Sequence, residues 1–176
     1  MNSKDLINLS IRYFFIIFLG LFGISAIYSF FTPLTVYPSF KILSLFYPLS
    51  LDGNSFVFGH AIINIIPACI AGAAYYLLFI LNFASPMPPK QRLTSLLFIL
   101  SLFLALNIIR LAVFTSLFLN GFAYFDLAHK FAWYAGSTIL VVAIWFANVW
   151  LFNIKAIPAC TDLKNLNDIR KRGIKR

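Results

Sequence analysis

The chain has 176 residues, 61% of them hydrophobic and only 11% charged, whereas soluble domains carry about a quarter charged residues; this excludes an ordinary soluble globular domain. The formal net charge of +9 does not point to nucleic acid, because seven of the fourteen Lys and Arg residues lie at or after Lys155, beside the last apolar run, where cytoplasmic flanks of membrane helices collect basic residues. Several apolar runs reach the roughly 20 residues that a bilayer crossing needs. The composition therefore predicts an all-α membrane protein, with one polytopic domain over 1–153 and a basic cytoplasmic tail over 154–176.

The first predicted helix covers roughly 10–31. It follows Lys4 and Arg12, and its apolar run from Tyr13 to Phe31 outlasts the core of about 7 to 15 residues usual in a cleaved signal peptide. It is read as a retained helix. Pro33, Pro38 and Pro48 then predict an irregular segment, since proline breaks helix interiors. Within that segment Leu49-Ser50-Leu51, Asp52-Gly53-Asn54 and Ser55-Phe56-Val57-Phe58 read as strand, turn and strand, because Asp-Gly is a strong hairpin signal.

The second helix is predicted over 61–84, with Pro67 as an alternative start that would leave 61–66 as an extended approach. Proline is pre-set for the first position of a helix. Cys69 would then lie in the first turn, where the positive end of the helix dipole favours an anion, and the thiolate is the reactive form of cysteine. A short basic loop from Ser85 to Arg92 leads to a third helix over 93–119, stopped by Asn120-Gly121. Asp126 is the expected N-cap of a fourth helix over 127–152.

Counting Lys and Arg in alternate flanks gives eleven on the side of the N-terminus, the 85–92 loop and the tail, against two, Lys41 and Lys130, on the other. This predicts four helices, both termini cytoplasmic, in the cell membrane. The topology brings Cys69, Arg110 and His129 to one depth near the outer face. Charge inside a bilayer costs at least about 2.5 kcal/mol and is functional by default. Asn107, one turn from Arg110, is positioned to hydrogen-bond it, and Asp126 lies three residues before His129, where it would orient the imidazole or simply cap the helix. His60 also lies on the outer side, and Cys160 repeats the local word Ile-Pro-Ala-Cys in the polar tail without the surroundings for chemistry. No motif calls for a metal or another cofactor.

Pro67-Ala68-Cys69 opening one helix, Asn107-Ile108-Ile109-Arg110-Leu111 within the next, and His129 opening another resemble, in that order, the exosortase/archaeosortase family, most of all its short archaeal members, over roughly residues 45–150. The resemblance implies a membrane-embedded cysteine transpeptidase with Cys69, Arg110 and His129 as catalytic residues. Its partners would be exported proteins ending in a short motif, a transmembrane helix and a basic cluster, with a membrane lipid as a possible acceptor and no nucleic acid. Relatives commonly follow the cysteine with Ser or Thr and then Gly, where this chain has Ile70-Ala71-Gly72, a difference that bears on the substrate motif more than on the chemistry. The alternatives are a membrane cysteine protease that only hydrolyses and a non-enzymatic helical membrane or transport module.

Overall fold

The computed structural model describes residues 3–154; the tail beyond Ile154, with Cys160, lies outside the described residues. The element order is α1 (Ser3–Leu43), β1 (Ser50–Asp52), β2 (Ser55–Phe58), β3 (Ala61–Asn64), α2 (Pro67–Ile70), α3 (Gly72–Ala84), α4 (Pro89–Leu119), α5 (Phe125–Phe131), one π turn (Ala132–Gly136) and α6 (Ser137–Leu151). Three helical stretches are long and apolar enough to cross a membrane: Pro67–Ala84, Pro89–Leu119 and Phe125–Leu151.

The first helix departs from expectation. It runs on through Pro33 and Pro38 to Leu43 as a single element of 41 residues, where the sequence predicted an end near 31. Each proline removes one main-chain hydrogen bond, but the following turns remain committed to packing. Ile27, Phe31, Thr35, Ser39 and Leu43 recur every fourth residue and are all buried, and α1 lies against both α3 and α4. A stripe with that spacing occupies one side of a helix, and ending the helix at Pro33 would forfeit the burial of the apolar side chains Val36 and Leu43. Packing against neighbouring helices lets a helix carry proline in its interior in this way.

The second departure concerns residues 61–66, predicted as helix with an extended approach as the alternative. Ala61–Asn64 is the third strand of an antiparallel sheet in the order β1-β2-β3. The hairpin turn is Gly53-Asn54, flanked by the Asp52–Ser55 pair, so Asp52 ends the strand instead of entering the turn. Gly53 has φ of +56°, a conformation that glycine adopts without steric cost at the head of a two-residue hairpin. The Phe58–Ala61 pair flanks the next turn, Gly59-His60, which carries exposed His60. Phe56 is fully buried beside Phe40 of α1, and the side chain of Asn120, just past α4, donates to the Tyr47 hydroxyl at 2.8 Å. These contacts fix the sheet at the end of the bundle where α2 starts and α4 stops.

The core lies between α1, α3 and α4. Tyr75 stacks on Phe31 with ring centroids 3.7 Å apart and meets Phe103 edge-on at 4.6 Å, so one aromatic side chain ties three helices. Gly72 makes this approach possible: a Cβ there would fall 2.6 Å from the Tyr28 ring, and small residues are what let helices in a bilayer come close. On α4 the buried residues Ser95, Ile99, Phe103, Asn107, Leu111 and Thr115 again recur every fourth position. This stripe makes α4 the helix against which α1, α3, α5 and α6 all pack. At the far end from the sheet, Asn82 donates to Ser95 at 2.8 Å and Ser95 to Asn148 at 2.9 Å, a buried polar bridge across α3, α4 and α6. Arg92 donates to the carbonyls of Phe83 and Ser85 at 3.0 and 3.1 Å, satisfying main-chain groups that the end of α3 leaves open.

Candidate active site

The helix expected from Pro67 starts there, with proline in its first turn, but it breaks after one turn. Ala71 adopts a left-handed conformation, φ 58° and ψ 44°, between α2 and α3. Such a conformation is rare for a residue with a side chain, and it takes the carbonyls of Cys69 and Ile70 out of the helical ladder. Buried carbonyls need other donors, and α4 supplies them. The side-chain amide of Asn107 donates to Cys69 O and Ile70 O, both at 3.2 Å, and Arg110 Nη2 donates to Cys69 O at 3.3 Å. Asn107 and Arg110 stand one turn apart on the same helix face, yet the expected bond between them is not formed. The freed carbonyls claim the Asn107 amide, and its Oδ1 has no hydrogen-bond partner among the described residues.

The break also changes the electrostatic setting of Cys69. A single turn of four residues aligns too few peptide dipoles to act as the long helix that the sequence implied. The local positive charge beside Cys69 is instead the Arg110 guanidinium. Of its five N–H donors, Nη2 holds the Cys69 carbonyl and Nη1 reaches Ser137 Oγ at 2.7 Å.

The third wall comes from the helix that carries His129. It starts at Phe125, two residues before the predicted position, with Tyr124 as its N-cap and no side-chain cap bond. Asp126 therefore sits inside the first turn, where a carboxylate favours the positive helix end, and it is exposed. Among the described residues no hydrogen bond or ion pair joins Asp126 to His129. The imidazole is set by aromatic rings instead: it stacks on Phe125 at 5.4 Å, with 8° between the planes, and meets Phe114 edge-on at 5.5 Å.

Cys69, Arg110 and His129 line one cavity of about 270 Å³, whose walls include Phe114, Lys130 and Trp133. His60, in the turn before β3, is not among the lining residues. The sequence reading missed Ser137, the π turn before it and the break at Ala71. One signal for Ser137 was available: an arginine inside a membrane needs polar partners, and Ser137 is a hydroxyl in the apolar stretch that follows His129.

No family model, no curated protein and no solved structure matches this chain. What the site can do follows from its own chemistry. A thiol, an imidazole and a guanidinium that keeps unspent donors among the described residues, gathered on a mainly apolar cavity, are the kinds of group that acyl transfer uses as nucleophile, proton carrier and cationic stabiliser.

Proposed function

We propose that this protein is a membrane-embedded cysteine transpeptidase of exosortase/archaeosortase type. It cleaves the C-terminal sorting signals of exported proteins and transfers the cleaved chain to an acceptor, a membrane lipid being one. In this reading α1 is a fourth membrane span beside the three apolar helices, both termini are cytoplasmic, and the cavity opens toward the outer face of the cell membrane. The basic asymmetry, eleven residues against two, supports that orientation.

The observation that carries the reading is the convergence of Cys69, Arg110 and His129, drawn from three separate elements, on one cavity. Cys69 gives up its proton to His129, and the thiolate sulfur attacks the scissile carbonyl carbon. The carbonyl oxygen gains negative charge, which the remaining Arg110 donors stabilise in a water-poor site. When the tetrahedral intermediate collapses, the C–N bond breaks and His129 returns the proton to the leaving amine. A C–S thioester remains. The hydroxyl or amine of the acceptor then attacks it and passes its proton to His129; the C–S bond breaks and the proton returns to the sulfur.

The test is co-expression with a secreted reporter that ends in a motif, one apolar helix and a basic cluster taken from exported proteins of the same genome. The proposal predicts loss of the C-terminal helix and a product mass increased by the acceptor. A product carrying only a new free carboxylate would mean hydrolysis. An intact reporter, across every such signal that the genome encodes, would refute the proposal.

A further inference from the structure

Resting on the site chemistry above, we propose that Ser137 is the positioning residue for Arg110, and that the π turn preceding it makes this possible. The Ser137 hydroxyl has one proton to donate and lone pairs to offer. Its proton is directed to Ala132 O at 3.3 Å, the carbonyl that also receives the Ser137 main-chain N–H in the wide hydrogen-bond pattern of the π turn. With its proton engaged there, the oxygen presents a lone pair to Arg110 Nη1 at 2.7 Å. The guanidinium is thus held from two sides, by Ser137 on one wall and by the Cys69 carbonyl on the other.

The π turn also sets which residues share that wall. His129 and Ser137 are eight positions apart, which in a regular α-helix would rotate them about 80° from each other at 3.6 residues per turn. A π turn absorbs about one extra residue, which brings the pair to within about 20° of one face. The imidazole and the hydroxyl that holds the arginine therefore lie along one side of one helix. Such π turns recur at functional sites, and this one lies between His129, which lines the cavity, and Ser137, which holds Arg110.

The matched substitutions are Ser137→Thr, which keeps the hydroxyl, and Ser137→Val, which has nearly the same shape without it. The first readout needs no substrate: the rate at which iodoacetamide alkylates Cys69 in membranes, in a Cys160→Ser background. Ser137→Thr keeps the parental rate and Ser137→Val lowers it severalfold. Arg110→Ala lowers it as well, and adding Ser137→Val to Arg110→Ala has no further effect, because the hydroxyl acts only through the guanidinium. The second readout is reporter conversion, where Ser137→Val lowers kcat at least about tenfold, the weight of one charge-assisted hydrogen bond, with KM nearly unchanged and Thr restoring it. Parental alkylation and conversion in Ser137→Val would overturn the proposal, and so would losses that add independently to those of Arg110→Ala. A parental protein that converts no reporter would refute the transpeptidase reading alone, since the alkylation series still decides the role of Ser137.

Discussion

Asn107 and Cys69 are joined through the main chain and not through the thiol: the Asn107 amide donates to the Cys69 carbonyl at 3.2 Å and holds the Ile70 carbonyl at the same distance. The turn that carries Cys69 is thereby hung from α4, the helix that also carries Arg110. Position and charge thus reach Cys69 from one element, and the other side of the guanidinium is tied to α6 through Ser137.

Asn107→Leu keeps the branched shape but leaves the buried Ile70 carbonyl without its side-chain donor, while the Cys69 carbonyl keeps Arg110 Nη2. An unsatisfied buried acceptor costs about 1–3 kcal/mol, and the variant loses stability on that scale. The midpoint of unfolding in detergent measures this. A midpoint within error of the parent would show that the two hydrogen bonds do not hold the turn.

Adjacent residues at the break respond in opposite directions. Ala71→Gly relieves a left-handed conformation that an alanine adopts only at a cost and raises stability by up to about 1 kcal/mol. Gly72→Ala drives a methyl group to 2.6 Å from the Tyr28 ring and costs about 1–3 kcal/mol as an overpacked contact. Thermal midpoints of the two purified variants decide the matter. Shifts of the same sign would contradict the described backbone at the break.

The apolar runs, Pro67 at the start of α2 and Asn120-Gly121 at the end of α4 were all legible in the sequence, because each rests on a local rule of hydrophobicity or backbone conformation. What was not legible depends on partners distant in the chain. Pro33 and Pro38 read as stops, yet α1 continues because Val36 and Leu43 are buried and the helix packs against α3 and α4. The break at Ala71 is held by Asn107 and Arg110, some 36 to 39 positions away in the sequence. The π turn carries no composition of its own, and Ser137 gains its meaning only once Arg110 is beside it. Cys69, Arg110 and His129 were singled out as polar residues in apolar surroundings; the aromatic setting of His129 depends on packing that no spacing rule anticipates.

Arg110→Lys keeps the charge and loses the planar fork that spans Cys69 O and Ser137 Oγ. A lysine ammonium cannot reproduce two such bonds in fixed directions. The variant accumulates in the membrane, while reporter conversion falls by about a hundredfold or more, the scale on which oxyanion stabilisers act. Full conversion by Arg110→Ala would remove this residue from the mechanism.

The orientation carries its own test. A membrane-impermeant thiol reagent applied to intact cells labels Cys69 through the cavity and spares Cys160, because the tail is cytoplasmic in the proposed topology. Permeabilisation exposes Cys160 to the same reagent. Labelling of Cys160 alone in intact cells would invert the topology and separate the site from an exported substrate.

The most direct measurement is reporter conversion by Cys69→Ala, compared with the parent at equal membrane yield. Alanine is small and helix-favouring, and the main-chain carbonyl that Asn107 and Arg110 hold is kept, so the fold is preserved while the sulfur is lost. Neither His129 nor Arg110 can form the thioester in its place. The variant accumulates normally and gives no product detectable by mass. Conversion at the parental rate would show that the reaction does not pass through Cys69, and that this protein is not a cysteine transpeptidase.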